Sequence, residues 1–214
     1  MGERGNRQED TKERLLFCAE RIFAQKGLDG ARVDEIAAEA KVNKRMIYHY
    51  YQSKENLYAE VLKHNFGKVY ALGEKVFDPA ANPLENLCII IREYFYFLAN
   101  NEDFVRLISW ENLYGSKHAG RLLPGYLKNA MPGLRKIFKD GVEHGQIRHD
   151  ADVNQLIISI HGLCLVYLTR RELLHSLWQE DMVSPARLEE RLNHIINLVL
   201  RGIAAYKDFG ISVE

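Results

Sequence analysis

Lys41, Lys44, Arg45 and Lys54 place four fixed positive charges in one stretch, from position 41 to position 54, that contains no acid. Between them stand Asn43, Tyr48, His49, Tyr50 and Ser53, all able to form hydrogen bonds. The chemistry this set suits is contact with double-stranded DNA. Cations that neutralise phosphates release condensed counterions and give a salt-dependent baseline affinity. Amide and hydroxyl groups add bonds to phosphates or base edges. Acids return at Asp34, Glu35, Glu39 and Glu55, so the basic surface is local. A helical protein-interaction module that had lost DNA binding is the competing reading. Such a module has no evident need for an acid-free surface here.

The elements that position these residues are two short helices. Val33, Ile36, Ala37 and Ala40 recur with helical spacing, a break follows at Lys41 and Val42, and a second helix fits Asn43 to Tyr51 with Ile47 and Tyr51 inward. Helices joined this tightly cross steeply, as in a helix-turn-helix. The second helix then presents Lys44, Arg45, Tyr48 and His49 outward, and Met46 and Tyr50 belong to the same reading element. A preceding helix, capped at Asp10 or Thr11 and stopping at Gly27, carries Leu15, Leu16, Ala19, Ile22 and Phe23 to bury the back of the pair. Arg4 and Arg7 lie in a polar N-terminal arm.

The segment from Leu15 to Leu62 resembles the DNA-binding domain of the TetR family of transcriptional regulators. Its CAERIFAQKG, IAAEAKV, IYHYY and SKENL runs follow the family spacing throughout. Two positions depart from the pattern. Arg32 stands where the family has a capping Thr, and Lys41 where it has Gly at the tight turn. Arg32 remains able to reach a phosphate, and Lys41 implies a left-handed backbone or an altered turn. The resemblance implies a phosphate-binding role for Lys54, which follows the helix-capping Ser53. It also implies an all-α fold, with a three-helix DNA-binding head at 9–55 and an effector-binding and dimerisation part at 56–208.

The remainder reads as helices throughout. A fourth helix runs from Ser53 towards Val76, FDPAANP breaks the chain, and Leu84 to Leu98 forms a largely buried helix despite its run of isoleucines. Phe104 to Leu113 is a shorter helix, and Leu122 to Gly145 is either kinked or divided at Pro132. One long helix is expected from an Asp150 or Asp152 cap through Leu177, then a last one from Ala186 to about Tyr206.

Tyr94, Phe97, Arg106, Trp110, Glu111, Tyr114, His161 and Tyr167 are the candidates for an effector pocket, which combines apolar walls with a few orienting polar groups. Core aromatics with satisfied hydroxyls are the alternative for each. The family resemblance implies a small-molecule effector without naming it. Leu156, Ile160 and Leu163 on the long helix, with Leu188, Leu192, Ile196, Val199 and Ile203 on the last, offer apolar surface wide enough for a twofold mate. The family implies the same homodimer.

With 214 residues, 47% hydrophobic and 27% charged, and zero formal net charge, the chain is ordinary globular protein rather than a non-specific nucleic-acid coater. Cys18, Cys88 and Cys164 lie far apart in apolar runs, as reduced core cysteines do. No signal-like N-terminus and no apolar run of membrane-spanning length occurs, so a cytoplasmic protein without a membrane partner is expected. No phosphate-binding glycine loop, dinucleotide fingerprint or nucleophile elbow is present, and the histidines lack metal-site spacing. An enzyme, a cofactor and a metal are therefore not expected.

Overall fold

The computed structural model describes residues 3–76, 78 and 81–205, without the side chains of 3–9 and 76. The Arg4 and Arg7 side chains and Tyr206 lie outside the described residues. The described chain is all-α, with an isolated antiparallel bridge between Ile147 and Ala204. The helices are α1 Glu3–Gly30, α2 Val33–Glu39, α3 Lys44–Tyr51, α4 Lys54–Val76 and α5 Pro83–Asn100, followed by α6 Glu102–Leu113, α7 Ala119–Glu143, α8 Val153–Thr169, α9 Arg171–Trp178 and α10 Pro185–Ile203.

Two compact units result. The first comprises Met1–Lys68 and Asn101–Tyr126, the second Val69–Asn100 and Leu127–Glu214. Their boundaries fall inside α4 and inside α7. The first unit therefore holds α6 and the start of α7 along with the helix-turn-helix, although these are distant from it in sequence.

In the first unit, Leu15, Ala19, Ile22 and Phe23 of α1 are buried together with Ile36, Ala37 and Ala40, and with Ile47 and Tyr51 of α3. Helical bonding in α1 resumes beyond the expected stop, across a kink at Gly27 with φ 68° and ψ 177°. Tyr51 donates its hydroxyl to the Lys12 carbonyl at 3.2 Å, and Arg14 Nε donates to the Ala40 carbonyl at 2.9 Å. Burial pushes the Tyr51 phenol up to about 12, which keeps it a donor. The second unit packs α5, α8 and α10 around Ile91, Phe95, Cys164, Leu192 and Ile195. The isoleucine run lies in helix α5, and the three cysteines are free.

α7 is one helix through Pro132, so of the two readings the division is excluded. Two elements differ from the sequence reading. α1 starts at Glu3, so neither Asp10 nor Thr11 caps it. The long helix expected through Leu177 instead breaks at Arg170 into α8 and α9, bent by 65°. The last buried residue of α8 is Leu168, and the Thr169 hydroxyl donates back to the Val166 carbonyl at 3.3 Å. Side-chain bonding of this kind competes with the helical ladder, and beyond Leu168 no buried face holds the helix straight.

Lys41 adopts φ 54° in the connection between α2 and α3. The Cβ of an L-residue costs about 1–2 kcal/mol in this region. Lys41→Gly should accordingly raise stability by roughly 1 kcal/mol, measured by urea unfolding at unchanged m. An unaltered or lowered midpoint would show that Lys41 sits there without strain.

Candidate nucleic-acid interface and effector core

The basic stretch folds into a short helix whose outer face is open. Lys44, Arg45, Tyr48 and His49 are exposed, while Ile47 and Tyr51 are buried beneath them. The helix starts cleanly because Asn43 is its N-cap, its Oδ1 accepting the Arg45 amide at 2.9 Å. One lone pair of that oxygen is thereby committed to structure, while the side chain remains exposed. Met46 and Tyr50 are half-buried, with the Tyr50 ring edge-on to His49 at 5.1 Å. The face is narrower than the full set of candidates.

Arg32 occupies the N-cap position of α2 with extended backbone and no side-chain cap bond, and its guanidinium is exposed. Lys54 begins α4, half-buried, with Nζ donating to the Ala31 carbonyl at 3.1 Å. The Ser53 hydroxyl accepts the Asn56 amide at 3.1 Å and caps the same helix. The Lys54 ammonium thus ties α4 to the α1–α2 connection and sets how α4 leaves the helix-turn-helix.

One residue that spacing did not single out joins this surface. Asp34 Oδ1 lies 3.0 Å from Lys44 Nζ. Asp34, Ala37, Ala38, Val42, Asn43, Lys44 and Arg45 line one open cleft of about 580 Å³ between α2 and α3. The other acids of α2 turn the opposite way. Glu35 pairs with Lys26 at 2.9 Å, which holds its carboxyl below the ordinary range, and Glu39 pairs with Arg21.

The effector candidates separate into two groups. In the first unit, Trp110 Nε1 donates to the Ala24 carbonyl at 3.1 Å, its ring lies against Gly27, and Tyr114 stacks on it at 5.9 Å. A Cβ at Gly27 would come within 3.1 Å of that ring, so the glycine admits both the left-handed backbone and the indole. Glu111 is buried, and its Oε2 accepts the His118 and Ala119 amides at 3.0 and 2.8 Å. Burial and a bond to Glu111 raise the pKa of Tyr58 on α4. Glu111 therefore caps α7 and reaches α4, which leaves less of it to orient a ligand. Arg106 is exposed and paired with Glu102.

In the second unit, Tyr94 and His161 meet directly across α5 and α8, hydroxyl to Nδ1 at 2.6 Å. Burial raises the Tyr94 pKa and desolvation lowers that of His161, so the neutral phenol donates to the neutral imidazole. His161 is nonetheless exposed as a residue in the single chain. Tyr167 is buried, with its hydroxyl donated to the Met182 carbonyl at 2.7 Å and Arg191 over its ring at 5.4 Å. Phe97 is half-buried. Among the candidates of the second unit, the bonded pair Tyr94–His161 is the polar centre. Among the described residues, no group of three or more His, Cys, Asp or Glu could hold a metal ion.

The apolar faces of α8 and α10 divide similarly. Leu188, Leu192, Val199 and Ile203 are buried within the chain, and Leu156, Ile160, Leu163 and Ile196 are half-buried. Ile158, Val166 and Leu198 are the exposed positions, 64%, 52% and 50% accessible. They line an open groove of about 720 Å³ with Gly162, Gly202 and Leu163. The apolar stripes lie on α8 and α10, and periodicity alone does not announce which edge of each the chain itself covers.

An exposed basic helix on a helix-turn-helix, joined to a second helical unit, defines a DNA-binding regulator with its own ligand-responsive part. Residues 15–61 match the family described as bacterial regulatory proteins, tetR family, and residues 83–199 match the tetracyclin repressor-like C-terminal domain. The chain belongs to the TetR family of transcriptional regulators. It is 29% identical over 204 residues to the HTH-type transcriptional repressor NicS of Pseudomonas putida, covering 94% of this chain and 96% of that one. With the HTH-type transcriptional repressor SCO4008 of Streptomyces coelicolor it shares 36% identity over 142 residues, 65% of this chain and 68% of that one. The fold matches that of the regulator FadR from Bacillus subtilis in complex with stearoyl-CoA, with a TM-score of 0.69 at 24% identity over 89% of this chain and 98% of that one. Neither matched domain is enzymatic, and no single helix among the described residues is long and apolar enough to cross a membrane.

The lowered His161 pKa carries a pH dependence. The unfolded chain takes up the imidazole proton near the ordinary 6.5, whereas the folded chain takes it up only at lower pH. The contribution is therefore complete above that value and is lost as pH falls through the lowered folded pKa. Thermal melts of the wild type and His161→Gln between pH 8 and 5 should converge in slope above 6.5 and diverge below it. Parallel curves across the whole range would remove His161 as the cause.

Proposed function

We propose that the protein is a transcriptional repressor that binds a near-palindromic operator as a homodimer and leaves it when a small molecule enters the C-terminal unit. The observation that carries the reading is the outer face of α3, where Lys44, Arg45, Tyr48 and His49 are exposed with no acid in the helix. Lys44 and Arg45 stand in its first turn, the part of a recognition helix that reaches base edges in the major groove. Two heads then read half-sites about one helical turn, or a multiple of it, apart. Arg32 and Lys54 act on the flanking phosphates. For Lys54 this requires exchanging the Ala31 carbonyl for a phosphate oxygen, or using the ammonium protons that the carbonyl leaves free. The names of NicS and SCO4008, both repressors, favour repression over activation.

Homodimerisation rests on α8 and α10. Ile158, Val166 and Leu198 expose apolar area that a twofold mate removes from water, and Gly162 and Gly202 allow close approach of backbones. For the effector, the Tyr94–His161 pair offers one polar centre against the aromatic residues of α5. A ligand bound there changes operator affinity only by binding the released conformation better than the DNA-bound one. The test is selection of DNA from a random pool by the purified protein, followed by footprinting upstream of its own gene. Enrichment of a twofold-symmetric sequence supports the reading, and a pool without enrichment refutes it.

Two expectations accompany that experiment. Arg45→Ala should cost about 1–3 kcal/mol on the selected operator and relax preference at one base pair. Equal weakening on scrambled DNA would make Arg45 a backbone contact. Leu198→Glu should yield folded monomers with weakened operator binding, because Leu198 is half exposed in the single chain. Leu192→Glu buries a charge where exposure is 0% and should unfold the protein instead. Sedimentation with circular dichroism distinguishes the two, and a helical Leu198→Glu dimer would move the interface elsewhere.

A further inference from the structure

The acid-free character of α3 is broken from outside the helix. Asp34, in the first turn of α2, sets its carboxylate 3.0 Å from Lys44 Nζ, with side chains 74% and 58% exposed. Both residues line the same open cleft as Asn43 and Arg45. Glu35 and Glu39 of the same helix are paired with α1 cations. Asp34 is thus the α2 acid whose described ion-pair partner lies on the reading helix. An acid in the first turn also suits the helix dipole. That accounts for a carboxylate on α2, not for its placement against a DNA-facing lysine. Phosphates repel a carboxylate there, so its presence works against general DNA affinity.

We propose that Asp34 is a specificity-determining residue, which holds Lys44 away from phosphates on non-operator DNA and cedes it on the operator. The inference rests on the reading of α3 as the DNA-contacting helix. Non-specific binding is essentially phosphate neutralisation, so sequestering one cation lowers it by about one charge. On the operator, the base edge or phosphate that Lys44 reaches is fixed in place by the other contacts, and it displaces the carboxylate. An exposed ion pair is weak in water, which suits a partner that must be given up. The device is a cost applied to the wrong sequences rather than an extra contact to the right one.

The test compares the wild type, Asp34→Asn, Lys44→Ala and the double variant on two 30-base-pair duplexes, the selected operator and its scrambled sequence. Asp34→Asn is expected to bind the scrambled duplex about three- to tenfold more tightly, with the salt slope steeper by about 0.9 for each head in contact with it. The operator should gain less, so the ratio between the two duplexes falls. In the Lys44→Ala background, Asp34→Asn should relieve only the direct repulsion, raising both duplexes by the same small factor and leaving their ratio unchanged. Equal gains on both duplexes with Lys44 present, a fall in the ratio that persists without Lys44, or unchanged affinities would each overturn the proposal. So would selective loss of operator binding, which would make Asp34 itself a base contact. Asp34→Ser, neutral and suited to a helix start, replaces Asp34→Asn if thermal melts show the latter unfolded. Failure of the wild type to select any sequence would instead refute the reading of α3.

Discussion

The exposed basic face of α3 depends on the close crossing of α2 and α3, and that crossing depends on four residues, Ala40 to Asn43. Ala40 and Ile47 are both 0% exposed, so one helix ends and the other buries its inner face within a single compact corner. The chain turns in that space because Lys41 enters the left-handed region and the Val42 amide returns to the Ala37 carbonyl at 3.0 Å. Asn43 then supplies the first donor-satisfying cap of α3. Arg14 fastens the corner to α1 through the Ala40 carbonyl, which as the cap residue of α2 lacks a helical partner. Each bond is modest alone. Together they fix the direction of a helix of eight residues, too short to hold its shape by propensity.

α6 joins the same unit by a different route. Trp110 holds the Ala24 carbonyl and covers Gly27, where α1 kinks, and the adjacent Glu111 caps the start of α7 and bonds Tyr58 of α4. Two neighbouring residues therefore hold α1, α4 and α7 at once. A buried carboxylate is tolerable here because two backbone amides at a helix start, themselves in need of acceptors, point at it. Leaving any of these groups unpaired carries a desolvation cost, so the last turn of α6 and the first turn of α7 hold their arrangement as one piece.

The head and several helices beyond it were legible in the sequence because their determinants are local. Helical spacing, the break at Lys41 and Val42, the caps at Ser53 and Asp152, and the buried α5 helix all follow from residues within a few positions of one another. At Lys41 the family pattern left a left-handed backbone or an altered turn open, and the residue takes the left-handed one. The partners of Trp110 and Glu111 were not. An indole bonded 86 positions away and a carboxylate that caps the next helix read, in sequence, like pocket residues. The break at Arg170 was hidden by continued apolar periodicity, since Leu173 and Leu177 keep the pattern although both are exposed. Periodicity reports that a face is apolar, and exposure depends on whether anything covers it.

The same distinction governs the charges. Counted along the chain, α2 is acidic and α3 basic, and the total is zero. In space, Glu35 and Glu39 are neutralised by α1, so the α2 acids do not act as one negative surface beside the reading helix. Among the described residues, the α2 acid that reduces the field of the open α3 face is Asp34, at Lys44. Screening over about 8 Å at physiological salt makes this local arrangement decisive over the net charge. A chain of zero formal charge can therefore present a locally basic face on α3, while pairs such as Lys26–Glu35 and Arg21–Glu39 cancel within themselves.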